Sequence, residues 1–209
     1  PRFLSMPEMS LTEALGFSLF HAVSAFCNAG FSLYSDGLEI FAGDIWVNVV
    51  IMALIIVGGL GFGVWMGLWR YMRRGHYLSV HSRLVCVTSL GLVFFGALFF
   101  FYFEYHHSLN TLPLGEKLLA SVFQSVSTRT AGFNTVPLGE LAPVSILVMS
   151  LLMFVGASPG STGGGVKTTT IALVFVTARS FLRSDREICV FGRSLPSSQI
   201  FHAFGLLGV

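Results

Sequence analysis

A chain of 209 residues that is 54% hydrophobic and only 11% charged, with a mean hydropathy of +0.77, lies far outside the soluble range of about 25% charged residues. It reads as an integral membrane protein. The net charge of +2 excludes little, but the placement of the charges orients the chain. Arg70, Arg73, Arg74 and Arg83 form one basic stretch free of acids, and Arg179, Arg183, Arg186 and Arg193 follow the last long apolar run. Both are expected on the cytoplasmic side by the positive-inside rule. The segments around Asp36, Glu39, Asp44, Glu104, Glu116 and Glu140 carry only Lys117 and Arg129 as bases and are expected outside.

The opening residues PRFLSMPEMS lack the basic-then-apolar layout of a signal peptide, and the chain reads as starting in mid-pattern, after a missing helix. Ser10-Leu11-Thr12-Glu13 has the Ser-x-x-Glu form of a capping box. The helix it starts runs for only about 14 to 16 residues before a glycine, which at 1.5 Å per residue reaches partway through a bilayer. This is the pattern of a re-entrant helix that enters from outside and turns at Ala29-Gly30-Phe31. Residues 45–69 then form an apolar run long enough to span the membrane and end in Arg70. Gly58 to Gly63 lie within that run, where they are expected to permit close packing. A second span is expected over 84–103, returning outward to Glu104-Tyr105-His106-His107.

At this point the chain repeats itself. LTEALGFSLFHAVSAFCNAGF at 11–31 returns as LGEKLLASVFQSVSTRTAGF at 114–133. Leu11, Glu13, Leu15, Ser18, Phe20, Val23 and Ser24 align with Leu114, Glu116, Leu118, Ser121, Phe123, Val126 and Ser127, and one deletion brings Ala29-Gly30-Phe31 onto Ala131-Gly132-Phe133. Pro113 suits the start of the second short helix. Between Leu141 and Phe181 follows a third apolar stretch, a helix interrupted by GASPGSTGGG at 156–165. Residues 196–209 read as the start of another span. The implied unit is span, short helix, loop, span, divided as 1–75, 76–187 and 188–209. His21 is expected to be packed or hydrogen-bonded, Lys117 to sit on the outer surface, and Cys27, Cys86 and Cys189, which lack Cys-x-x-Cys spacing, to be small buried hydrophobes.

Duplicated half-helices in an apolar chain place the working site where the repeats meet. Extended backbone at membrane depth leaves carbonyls unpaired, at several kcal/mol each, unless they line a cavity or bind something. Cations are natural ligands, and a helix entering from outside aims its negative end at them. Gly30 and Gly132 supply the positive φ that turns a carbonyl toward an axis. A single Ala-Gly-Phe would be only a helix cap; two in equivalent places point to a filter. Thr130-Ala131-Gly132-Phe133, and more loosely Asn28-Ala29-Gly30-Phe31, resemble the Thr-Val-Gly-Tyr run of potassium-channel filters.

FHAVSAFCNAGFSLYSD, FQSVSTRTAGFNT and GASPGSTGGGVKTTT together resemble the Trk/Ktr/HKT superfamily of potassium transporters, in particular its KtrB-type membrane subunit. The resemblance implies an all-α membrane protein with four span-loop-span repeats in pseudo-fourfold order around one K⁺ path, this chain covering about the second and third. It implies K⁺ as substrate, allows Na⁺ as an activator, and implies no covalent cofactor. The filter backbone would be Asn28, Ala29, Gly30, Thr130, Ala131 and Gly132, with Arg129 supporting it from behind. The gate would be Gly156, Ala157, Ser158, Pro159, Gly160, Ser161, Thr162, Gly163, Gly164 and Gly165, with Lys167 anchoring its cytoplasmic end. A homodimer in the cell membrane, seated on a cytoplasmic nucleotide-binding regulatory ring, is also implied, with 70–83 and 179–193 as docking faces; ordinary positive-inside anchoring accounts for the same charges.

Other readings of these residues fit less well. Gly160 and Gly165 have Walker A spacing, but Val166 separates Gly165 from Lys167 and no strand precedes the loop. A secondary transporter of a small solute, built on discontinuous helices, is the main rival. No enzymatic constellation is present, and no nucleic-acid partner is expected.

Overall fold

The computed structural model describes residues 10–75, 77–183, 189–191 and 193–194. Within them the regular elements are helices, apart from one antiparallel pair of two-residue strands. Helix α1 (Leu11–Phe26) starts at the expected capping box: the Ser10 Oγ accepts from the Glu13 N–H at 3.3 Å, and the Glu13 carboxylate accepts from the Ser10 N–H at 2.9 Å. A loop containing a short 3-10 turn, Glu39–Phe41, leads to Asp44, whose side chain caps α2 (Ile45–Leu60). Helix α3 (Phe62–Arg74) ends at Gly75 in the left-handed conformation, and Ser79 caps α4 (Val80–Glu104). Then follow α5 (Leu114–Thr128), α6 (Pro143–Phe154, with proline in its first turn) and α7 (Thr168–Leu182). Strands β1 (Cys189–Val190) and β2 (Arg193–Ser194) pair antiparallel. The segment expected to begin a further span, 196–209, lies outside the described residues.

At 25 residues α4 rises about 38 Å, long enough to cross the roughly 30 Å of bilayer hydrocarbon. Helices α1 and α5, of 16 and 15 residues, are too short to do so. The span expected over 45–69 is not one helix. It is two, α2 and α3, bent by 100°. Gly61 sits at the bend with φ 83° and ψ 146°, a conformation closed to residues with a Cβ, and the Trp65 indole N–H donates across it to the Val57 carbonyl at 2.8 Å.

The repeats share one core. Phe123, Val126 and Phe133 from the second pack with Leu38, Phe41 and Ile55 from the first, while α4 lies along α5. Large apolar side chains on the outer faces of α1, α2, α4 and α6, such as Leu19, Val50, Phe95 and Leu147, remain exposed, as suits helices surrounded by lipid rather than water.

Two surface assignments change. Lys117 is buried, because its ammonium donates to the Tyr105 carbonyl at 2.9 Å and stands 3.9 Å over the Tyr105 ring. Cys27 is exposed at the C-cap of α1, and Cys86 is only partly buried; the Cys189 side chain lies outside the described set. His21 is buried as expected, with Nδ1 2.8 Å from the Phe17 carbonyl and its ring stacked on Tyr34.

Candidate functional site

Both repeated segments leave their short helices by the same hydrogen bonds. The Ala29 N–H donates to the Ser24 carbonyl at 2.9 Å, and the Ala131 N–H to the Ser127 carbonyl at 2.9 Å. The Ser24 hydroxyl reaches forward to the Phe31 carbonyl at 2.9 Å, and the Ser127 hydroxyl reaches the Phe133 carbonyl in the same way. One aligned serine therefore ties each Ala-Gly-Phe at its first and third residues.

Between those ties φ is positive at every second residue: 52° at Asn28 and 70° at Gly30, 86° at Thr130 and 91° at Gly132. In an ordinary strand successive residues face opposite sides. A positive φ at alternate positions cancels that alternation and lets neighbouring carbonyls face one way. Glycine takes this conformation freely and asparagine tolerates it, but a β-branched residue such as Thr130 does so at about 1–3 kcal/mol.

The two segments meet backbone to backbone. A Cβ on Gly30 would lie 2.0 Å from the Ala131 carbonyl oxygen and 3.0 Å from the Gly132 Cα. A Cβ on Gly132 would meet nothing nearer than the Gly30 Cα, at 3.8 Å. Gly30 is thus required by space and conformation together, Gly132 by conformation alone.

The glycine loop between α6 and α7 is folded back on itself. The Gly156 N–H donates to the Val166 carbonyl at 2.9 Å, and the Ala157 N–H to the Gly164 carbonyl at 3.1 Å. The Lys167 ammonium closes the turn on the Gly163 carbonyl at 2.9 Å. Contact with Thr130 is so close that a Cβ on Gly163 would lie 2.5 Å from the Thr130 hydroxyl oxygen. Toward the other repeat the Thr162 hydroxyl donates to the Phe26 carbonyl at 2.9 Å and accepts from Asn28 Nδ2 at 2.9 Å. The loop therefore abuts Asn28 and Thr130, the residues just before each Ala-Gly-Phe.

Sequence reasoning missed the seat of this loop. The break between α2 and α3 frees backbone groups that must be paired at membrane depth, and the loop pairs them. The Thr162 N–H donates to the Gly58 carbonyl at 3.2 Å, the Ser158 N–H to the Gly59 carbonyl at 3.0 Å, and the Phe62 N–H to the Gly160 carbonyl at 3.1 Å. The glycines do allow close packing, since a Cβ on Gly58 would lie 1.9 Å from the Phe26 carbonyl oxygen. Their carbonyls also form one edge of the site. A doubled break, at equivalent places in two repeats, was the available signal.

Arg129 reaches toward α4, donating to the Ser89 carbonyl at 3.3 Å and the Ser89 hydroxyl at 3.2 Å. With Asn28, Gly59 and Cys86 it borders an apolar cavity of about 230 Å³ between α2 and α4. At the outer end, the fully buried Glu104 carboxylate accepts from the Ser108 hydroxyl at 2.9 Å, the Ser108 N–H at 3.3 Å and the Ala142 N–H at 2.9 Å. It fixes the start of α6 against α4.

A family model described as TrkH, cation transport protein, matches residues 8–207. The chain belongs to this family. Among relatives, the Ktr system potassium uptake protein B of Vibrio alginolyticus is 39% identical over 193 residues, covering 91% of this chain and 42% of that protein. The protein of the same description from Bacillus subtilis is 39% identical over 203 residues, covering 96% of this chain and 45% of that one. The chain thus spans less than half the length of these relatives. The crystal structure of the potassium transporter TrkH from Vibrio parahaemolyticus superposes with a TM-score of 0.70 over 98% of this chain and 50% of that one, at 18% identity. The all-α membrane fold of the TrkH family is therefore the fold of this chain.

Proposed function

We propose that this chain forms the middle part of a potassium-uptake pore in the cell membrane, contributing two filter segments and the gate beneath them. The observation that carries this reading is the matched pair of loops. Two half-length helices end in Ala-Gly-Phe turns with the same serine ties and the same alternation of positive φ, and their backbones touch. Rings of backbone oxygen replace the hydration shell of K⁺, and the C-terminal ends of α1 and α5 add negative potential there. Asn28, Ala29, Gly30, Thr130, Ala131 and Gly132 are the filter residues in this reading.

Gly156 to Gly165 then act as the gate, held across the path by the edge of the α2–α3 break and closed on itself by Lys167. Arg129 braces the second segment from behind, where its charge does not repel the substrate. The family resemblance of the sequence further implies that the complete protein works as a homodimer on a cytoplasmic nucleotide-binding ring, with Na⁺ as an activator. Rubidium uptake by the full-length protein tests the reading: K⁺ competes, and amino acids and inorganic anions do not. Competition by an amino acid or anion instead would support a solute transporter built on discontinuous helices.

A further inference from the structure

The bend at Gly61 gives α3 an orientation that the conducting path does not explain. At 100° to α2, α3 lies close to the membrane plane when α2 stands along the bilayer normal. Its depth follows from α4, against which it packs: a Cβ on Gly67 would lie 2.8 Å from the Ser82 hydroxyl oxygen. Ser82 is in the first turn of α4, about 33 Å along the helix from Glu104, so α3 lies at the cytoplasmic boundary of the hydrocarbon.

Helix α3 has three sides. Val64 is buried, and with Gly67 it marks the side turned to the protein. Phe62, Trp65, Met66, Trp69 and Met72 follow at spacings of three and four and form an apolar stripe, with Phe62 and Met72 each 74% exposed. Beside the stripe stand Arg70 and Arg74, both exposed, while Arg73 rises from within it with its guanidinium over the Trp69 ring at 4.9 Å. No Asp or Glu occurs between Asp44 and Glu104. A helix lying in the interface, with tryptophans along its apolar stripe and arginines beside it, matches the pattern of helices that bind acidic membrane surfaces.

We propose that α3 is an in-plane anchor that binds anionic phospholipid, Arg70, Arg73 and Arg74 pairing with the headgroup phosphates while Phe62, Trp65, Trp69 and Met72 enter the acyl boundary. The arginines hold the lipid, and the lipid in turn holds α3, the segment directly after the gate's docking edge at Gly58 to Gly61. This inference rests on the chain spanning a membrane with the 70–83 side inside, and not on the filter assignment.

The test uses the full-length transporter purified in detergent, with phosphatidylglycerol or phosphatidylcholine added. Thermal unfolding and lipid retention in native mass spectrometry are read for the wild type, for the triple variant Arg70→Gln/Arg73→Gln/Arg74→Gln, for the matching triple lysine variant, and for Arg179→Gln/Arg183→Gln. Phosphatidylglycerol stabilises the wild type more than phosphatidylcholine does. The glutamine triple weakens its binding by about fivefold per charge, on the order of 100-fold together, whereas the lysine triple and the α7 variant keep most of it. Equal phosphatidylglycerol binding by the wild type and the glutamine triple overturns the proposal. So does a Met72→Cys variant that, in bilayers, cross-links to a second copy or to another protein, since the stripe is then a protein interface. Rubidium uptake measured on the same samples reports separately on the filter.

Discussion

The Thr162 hydroxyl accepts a hydrogen bond from Asn28 Nδ2 at 2.9 Å, joining the glycine loop of one repeat to the residue before Ala-Gly-Phe in the other across 134 positions of sequence. The same hydroxyl donates to the Phe26 carbonyl at the end of α1. Asn28 is itself held at a positive φ of 52°, so the contact fixes a residue whose backbone is already constrained. Displacing the loop would release Asn28 and the loop together.

Replacing Thr162 by valine keeps the shape and removes both hydrogen bonds. Each is worth about 1 kcal/mol net, so rubidium flux through the full-length protein in liposomes is expected to rise on the order of fivefold or more. Thr162→Ser retains the hydroxyl and stays near the wild-type rate. A valine variant with unchanged flux would show that the contact does not restrain the loop.

Lys167 closes the loop on the Gly163 carbonyl at 2.9 Å while occupying the N-cap of α7, where the helix dipole disfavours a cation. Lys167→Gln relieves that repulsion but weakens the closure. The expected result is higher basal rubidium flux with little change in thermal stability, read on the same preparation.

The two filter glycines are expected to differ in their tolerance of alanine. Gly30→Ala meets the Ala131 carbonyl oxygen at 2.0 Å and adopts a disfavoured φ, whereas Gly132→Ala has room and bears only the conformational cost, about 1–2 kcal/mol. In thermal unfolding of the full-length protein Gly30→Ala is the more destabilised of the two by a clear margin. Equal loss would contradict the packing of the segments.

Glu104→Ala removes the acceptor of the Ser108 and Ala142 groups in a fully buried place. Each orphaned donor costs about 1–3 kcal/mol, so the variant is expected to lose several kcal/mol of stability. Glu104→Gln keeps a carbonyl acceptor and loses less. Unfolding in a denaturant series on the solubilised protein ranks the two.

Much of this arrangement is written locally. Ser10 and Glu13 start α1, Pro113 precedes α5, and the half-helix lengths follow from where the glycines stand. The run from 156 to 165 breaks a helix because ten residues of Gly, Ala, Ser, Thr and Pro carry little apolar surface and much backbone entropy. The rest depends on partners distant in sequence. Gly58 to Gly63 read as a packing surface because their carbonyls acquire meaning only when the loop near Gly160 arrives. Lys117 reads as a surface residue until the Tyr105 carbonyl is brought against it. The 100° bend needs Gly61 to take a conformation that its sequence neighbours permit but do not require.

The central claim is that the backbone at Asn28–Gly30 and Thr130–Gly132 coordinates the transported ion. Gly132→Ser tests it most directly, because the space beside Gly132 admits a side chain and the protein is expected to fold. Uptake of K⁺ and Na⁺ by the full-length variant is the measurement. A marked fall in K⁺ preference over Na⁺ is expected, and unchanged discrimination in a folded, active variant would contradict coordination by this backbone.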